Sequence, residues 1–408
     1  MGGEYFFVIS RIISTFAETY SKMKRLVWVL LLFSCSKEEI LPVVPLPEPV
    51  VKDYNLPSYH LQQSNITIDI HGLRSRYGNN SSWEIFAVAF LDINGDGHDD
   101  IFTSSTNGKN EKTPSQFYIY KNGDYIPDNT YFNRVPSFYH PRKAITGDFN
   151  NDKRPDIFVA AHGYDNDPWP GEHAQLIISS PNGKYDVKEF KEKVGFYHAA
   201  TSGDIDKDGD LDIFVLNKMF SYFLINDGKG NFTYSTTQIN INDIDNQYTC
   251  ELIDINKDGY LDLIMGGHEF ETNTRVYWGN NTYTYNQKSI IPKVNGYGVI
   301  TDIDVYDLDN DGVNELILNR AGGNGYNQFF YDGWYIQVLK MDNQEFMDMT
   351  NRFIENNSVN HIGRHNWVTW LRFQDYDNNG KMDLFSMVNG TQSFIRWELR
   401  DKKLIRIN

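Results

Sequence analysis

The sequence predicts an all-β fold, a β-propeller of six four-stranded blades, with seven blades as the alternative. Three observations lead there: an Asp-rich loop that recurs six times, strand-like runs flanking each copy, and no long helical period from about residue 62 onward.

Self-similarity constrains a fold more than any local signal, so the loops come first. The copies begin at Asp92, Asp148, Asp204, Asp254, Asp307 and Asp375, with successive separations of 56, 56, 50, 53 and 68 residues. Each is preceded by an apolar run such as residues 87–91 and followed by another, such as 157–160 or 263–265. Two further strand candidates complete the unit, in the first copy residues 116–120 and the region around Tyr131. Four short strands per roughly 50 residues match a propeller blade. Six such units need about 340 residues, and the segment 62–408 supplies 347. Residues 66–70 read as an unassigned strand, which either closes the ring or begins a seventh blade.

The loop chemistry points to a hard cation. Oxygen side chains stand at positions 1, 3, 5 and 9 of each copy: Asp92, Asn94, Asp96 and Asp100; Asp148, Asn150, Asp152 and Asp156; Asp204, Asp206, Asp208 and Asp212. The remaining copies supply Asp254, Asn256, Asp258 and Asp262; Asp307, Asp309, Asp311 and Glu315; Asp375, Asp377, Asn379 and Asp383. Calcium takes six to eight oxygens at flexible geometry, and this spacing wraps a tight loop around one ion. The seventh position varies freely (His98, Arg154, Asp210, Tyr260, Val313, Lys381), as expected where only a backbone carbonyl would coordinate. Glycine is usual at position 6; the second copy has Lys153 there, which predicts a strained turn or a weaker site. Zinc is disfavoured because the ligand positions hold neither Cys nor His. Magnesium prefers fewer protein ligands and a rigid octahedron. An EF-hand would need Glu at position 12 and flanking helices. Position 12 is Thr103, Val159, Val215, Met265, Leu318 and Ser386, and the flanks are β-like. Up to six calcium ions are therefore expected, between the first and second strands of the blades.

These loops, each followed by Ile, Leu or a close relative, resemble the FG-GAP/VCBS repeats of integrin-type β-propellers across about residues 62–408. The resemblance implies the fold and calcium, and says little about function, because that scaffold serves adhesins, lectin-like modules and some lyases. The charge agrees with cation binding. The chain carries −16 overall, which argues against nucleic acid as a partner. Residues 1–34 hold four basic and two acidic groups, so without them the charge is −18, and six calcium ions would bring it to −6.

The N-terminal segment reads as targeting. Lys24 and Arg25 precede an apolar run at 26–33 that is too short to span a bilayer and has the shape of a secretory signal. Leu32-Phe33-Ser34-Cys35 resembles a bacterial lipobox with Cys35 as the lipidated residue; a plain cleaved signal or an uncleaved anchor is the alternative. Met23 is then the expected start, with residues 1–22 upstream of it. Ser36-Lys37-Glu38-Glu39 resembles the acidic export signal of Bacteroidetes surface lipoproteins. The expected organisation is a leader over 1–35, a Pro-rich tether over 36–61 and the propeller over 62–408, on a Gram-negative outer membrane or cell surface. The membrane is expected as a partner through the lipid anchor alone. Cys250 lies in a strand-like stretch and reads as a small buried core residue.

Alternating strand direction puts the loops on one face of the propeller, and leaves the second-to-third strand loops and blade connections on the other. That face holds the irregular polar and aromatic stretches. Its candidate ligand-binding residues are Tyr139, His140, His162, Tyr164, Trp169, Glu172, His173, Tyr197, His198, His268, Glu269, Arg320, Arg364 and His365. Aromatic platforms with nearby polar groups suit a sugar ring, which predicts a non-catalytic module for a glycan or an envelope or extracellular protein. Each aromatic is equally a candidate for packing between blades. The alternative is a carbohydrate-active enzyme resembling polysaccharide lyases and using the His-rich face. No His-Glu-x-x-His, nucleophile elbow or phosphate loop supports it.

Overall fold

The computed structural model describes residues 84–218, 220–239, 247–323, 331–342, 345–359, 366–374, 381–388 and 393–407. Within them six antiparallel four-stranded meanders form a six-bladed β-propeller, and each described loop copy joins the first and second strands of its blade. The blades are Glu84–Leu91, Asp100–Thr106, Gln116–Lys121 and Asp124–Pro127; Pro141–Gly147, Asp156–Ala161, Gln175–Ser179 and Tyr185–Glu189; Tyr197–Gly203, Asp212–Asn217, Tyr222–Asn226 and Phe232–Ser235. They continue with Gln247–Ile253, Asp262–Gly267, Arg275–Trp278 and Gln287–Ile290; Val299–Tyr306, Glu315–Ala321, Trp334–Asp342 and Glu345–Asp348; and Val368–Gln374, Asp383–Val388, Ser393–Arg400 and Lys403–Arg406. A short strand, Ser358–Val359, adds to the fifth blade against its third strand. The leader, the tether and the candidate strand at 66–70 lie outside the described residues. Among the described residues no helix is long and apolar enough to cross a membrane.

The burial pattern explains the strand sequences. Second strands of the first five blades are buried along their whole length, because neighbouring blades cover both of their faces. In the second, third and fourth blades they therefore read as near-continuous apolar runs after the leading Asp rather than as alternations. The fourth strands lie outermost and are mostly exposed or half-buried. First strands of consecutive blades lie side by side from the first blade to the sixth, so they line the central axis.

The fourth strand of the first blade corrects the sequence reading. It is Asp124–Pro127, and Tyr131 belongs to a 3-10 turn, Asn129–Tyr131, capped by Asp128. The cause is Asn122-Gly123, both left-handed at φ 55° and 87°, which folds a tight hairpin so that Lys121 already pairs with Asp124.

Aromatic contacts between blades carry much of the core. Phe117 of the first blade stacks on Phe132 at 3.9 Å, and Tyr306 of the fifth stacks on Phe373 of the sixth at 4.5 Å. Trp334 meets Trp397 edge-on at 5.7 Å across the same fifth-to-sixth junction, both fully buried. Trp397 Nε1 also donates to the Glu355 carbonyl at 2.9 Å. Replacing Trp397 with Ala is expected to cost about 3–5 kcal/mol, read as a lower denaturant midpoint at unchanged slope. Trp397→Phe, which keeps the ring and loses the donor, should cost distinctly less.

Candidate functional site

In each described loop the backbone curls around the first carboxylate. Asp92 accepts from the amides of Gly95 (2.7 Å), Asp96 (3.1 Å) and Gly97 (2.8 Å). Asp148, Asp254 and Asp307 accept from the equivalent residues at positions 5 and 6, and Asp204 from Gly209. The fifth carboxylate then accepts from the amide at position 7, as Asp96 does from His98 at 2.9 Å. Positions 4 and 6 are both left-handed. Lys153 makes the second loop's turn at φ 70° where Gly97, Gly209, Gly259 and Gly312 make it elsewhere, and Asn151 before it stands at φ 56°. The second loop thus carries the strained turn its sequence predicts.

The ninth residue is a buried anchor. Asp100 accepts from the amides of Ile93 in the loop (2.9 Å) and Tyr120 in the third strand (2.7 Å). Asp156 does the same with Phe149 and Ser179, Asp212 with Ile205 and Asn226, and Asp262 with Ile255 and Gly279. Asp383 accepts from Leu399 at 3.3 Å, while Asp375, Asp377 and Asn379 lie outside the described residues.

The donor set of the third loop could hold a hard divalent cation. Asp204, Asp206 and Asp208 bring carboxylate oxygens within 4.8 Å of one another, and Asp204 Oδ1 and Asp206 Oδ1 are buried without a hydrogen-bond partner. Burial, then the neighbouring carboxylates, pushes the Asp206 carboxyl up from its ordinary range, which a cation would reverse.

The opposite face is organised by a bulge that recurs in every first strand. Pairing with the second strand slips by one residue between Ile85 and Ala87, Pro141 and Lys143, Tyr197 and Ala199, Gln247 and Thr249, Ile300 and Asp302, and Val368 and Leu371. A bulged residue is released from the ladder and its side chain is re-aimed. In the second to fifth blades that residue is Arg142, His198, Tyr248 and Thr301. The ends of the second strands add His162, Lys218, His268 and Ala321 at equivalent positions.

These side chains form a chain of rings across four blades. His140 lies 4.2 Å from His162, which stacks on Phe196 at 4.2 Å and His198 at 5.0 Å. His198 contacts Tyr248 at 4.5 Å, Tyr248 contacts His268 at 4.5 Å, and His268 reaches Tyr331, which meets Trp367 at 5.0 Å. Trp169, 53% exposed, packs edge-on to Phe196, and Phe270, 43% exposed, stacks on His268. Tyr139 and Tyr164 pair at 5.9 Å beside the arc. Both ring nitrogens of His198 are buried without a hydrogen-bond partner. Deeper along the first strands, Lys143 of the second blade pairs with Glu251 of the fourth, and Thr201 of the third donates to Glu251 at 3.1 Å. That buried pair ties three blades together beneath the rings. Cys250 is fully buried beside it, and burial pushes its thiol up, in keeping with a core residue.

Several predicted face residues have partners within the fold. Glu269 is buried, accepts from Thr274 (2.7 Å) and pairs with Arg320 (2.8 Å), whose other donors go to Gln337, Tyr297 and Pro292. Glu172 is buried against the Tyr139 amide and Lys112. His173 bonds the Lys193 carbonyl, and Tyr197 packs in the core against Tyr222. These are fasteners between elements. Arg364 and His365 lie outside the described residues. Phe-Tyr-His occurs at 138–140 and again at 196–198, but the two stretches are two residues out of phase: His140 is the counterpart of Phe196, and Arg142 that of His198. Sequence reading missed Arg142, Tyr248 and Tyr331. Counting six residues back from each loop start would have found the first two.

His140, His162 and Asp165 also bring ligand atoms within 4.8 Å of one another. Arg142 Nη1 already stands 3.5 Å from His140 Nε2, so positive charge is present there and a polar ligand group suits the trio better than a metal. Burial, then Arg142, pushes His140 down to about 3; burial, then Lys218, pushes His268 down to about 4. The unfolded chain takes up these protons near pH 6.5, while the folded chain stays neutral until about pH 4. Between those limits the unfolded state binds more protons at these two sites, so their contribution to stability falls as pH falls. Raised carboxyls at Asp156, Asp212 and Asp262 contribute in the opposite sense, so the test is a difference: the thermal midpoint of His268→Gln relative to the unsubstituted chain should rise from pH 6.5 to 4. An identical slope in that variant would contradict a neutral His268.

Comparison with known proteins agrees with this architecture. A model of the FG-GAP-like repeat matches residues 92–159, 204–265 and 254–318. No curated protein matches the sequence. Among solved structures, a protein from Lactobacillus plantarum is similar at a TM-score of 0.50 and 9% identity, covering 79% of this chain and 84% of that one. An Agrocybe aegerita lectin, described for recognition of non-reducing terminal N-acetylglucosamine, is similar at a TM-score of 0.46 and 13% identity, covering 78% of each chain.

Proposed function

From the premise that this chain is a six-bladed β-propeller with FG-GAP-like repeats, we propose that it is a non-catalytic binding module for a glycan, stabilised by calcium and held at a cell surface through a lipid on Cys35. The observation that carries the glycan reading is the arc of rings from His140 to Trp367, edged by exposed Trp169 and Phe270. Sugar rings present apolar C–H faces that stack on aromatic side chains, while their hydroxyls need directional partners. Arg142 and Lys218 supply fixed donors beside the rings. A lyase reading finds less support, since Glu172 and Glu269 are already engaged in fasteners.

A glycan array followed by titration calorimetry tests this. Trp169→Ala and Tyr248→Ala should each weaken binding about tenfold, roughly 1.4 kcal/mol. Binding to no glycan would remove the reading, and turnover of a bound glycan would replace it with the enzymatic one.

Calcium would act on the other face. It would neutralise crowded carboxylates and stabilise by binding the folded state alone, about 2.7 kcal/mol per site at a hundredfold excess over the dissociation constant. Chelation should lower the thermal midpoint, and Asp206→Asn should reduce the size of that drop. A melt unmoved by chelator would leave the loops without their ion.

A further inference from the structure

The fifth loop differs from the others in what sits among its carboxylates. Lys340, on the third strand of the fifth blade, places its Nζ 3.0 and 3.1 Å from the two oxygens of Asp309, 2.7 Å from Asp311 Oδ2 and 2.7 Å from Glu315 Oε1. Those are positions 3, 5 and 9 of the loop. Arg352 adds a second contact to Asp309 Oδ2 at 3.2 Å. The ammonium thus takes up the inward-facing oxygens that a bound ion would need.

Strand register makes the difference specific to this blade. The third-strand residue opposite position 9 is Ile119, Ile178, Ile225 and Trp278 in the first four blades, Lys340 in the fifth and Glu398 in the sixth. The fifth loop is also the one with Glu rather than Asp at position 9. In the other blades the second oxygen of that carboxylate accepts a third-strand amide; Glu315 keeps its loop bond to Leu308 at 2.8 Å and gives its second oxygen to Lys340. The longer acid and the lysine belong together. The third loop, by contrast, leaves Asp204 Oδ1 and Asp206 Oδ1 buried and unpartnered.

We propose that Lys340 is the resident cation of the fifth loop, so that this loop is neutralised from within and takes no calcium while the third loop takes one. The inference rests on the calcium reading for the other loops and limits it. A compact ammonium with three donors matches the three converging carboxylates, and its tether to the chain removes any dependence on free ion. This blade would then stay pinned when calcium is withdrawn.

Native mass spectrometry of the whole chain, titrated with calcium, tests this by counting bound ions. Lys340→Met should bind one more ion than the unsubstituted chain, and Asp309→Asn with Asp311→Asn in the unsubstituted chain should leave the count unchanged. Asp206→Asn with Asp208→Asn in the third loop should lower it by one. An equal count in Lys340→Met, or a loss of one ion on substituting Asp309 and Asp311, would overturn the proposal. A third-loop variant that loses no ion would instead count against the calcium reading. Circular dichroism of each variant confirms that the blades remain folded.

Discussion

One buried carboxylate per blade fixes three segments at once. At position 9 the chain passes from loop to second strand, and in the first four blades the Asp there accepts one amide from the loop and one from the third strand. Asp100, Asp156, Asp212 and Asp262 are all at most 1% exposed. A carboxylate so placed must be satisfied by hydrogen bonds or by charge, because water cannot reach it. Burial still pushes Asp156, Asp212 and Asp262 up to about 7 despite those amide bonds, and nearby carboxylates add to the rise. Positive charge near each anchor is therefore favourable, and the fifth blade supplies it with Lys340. The position of the loop, the register of the second strand and the path of the third all follow from this residue.

That dependence explains what the sequence discloses. A residue that sets register admits few replacements, so the Asp spacing repeats six times and announces blade count and loop face directly. Features set by backbone pairing are less visible. The bulges at Arg142, His198 and Tyr248 have no composition of their own, since a one-residue slip is defined by the partner strand. The same blindness hides that the two Phe-Tyr-His stretches occupy different phases of the blade. The Asn122-Gly123 turn was legible, and an aromatic-rich segment beyond it drew the fourth strand too far along the chain. For Glu172, Glu269 and Arg320, residue type suggested binding, but partners distant in sequence hold them: Lys112 for Glu172, and Glu269 and Arg320 for each other.

The division of labour between the two faces has a physical basis. At the loops, every blade solves the same electrostatic problem and arrives at similar residues. At the bulges, the released residue contributes no ladder pair, so its identity can change without disturbing the sheet. The blades use that freedom unequally. Arg142, His198 and Tyr248 are large and carry charge or rings, whereas Thr301 is small and donates back to the Asn319 carbonyl at 3.2 Å. Ala321 repeats the contrast where other blades place His162, Lys218 and His268.

The result is a lopsided face, with a wall of rings and cations presented by the second to fourth blades and short side chains at the equivalent bulge and strand-end positions of the fifth. The Lys143–Glu251 pair holds that wall from beneath by spanning the second and fourth blades. A buried ion pair of this kind costs desolvation and is sensitive to geometry. Its placement fixes the relative position of the blades that present the rings, so the wall is ordered in advance of any ligand. A preordered wall loses less entropy on binding than one assembled around its ligand. The rigidity that the loops establish on one face is thereby delivered to the other.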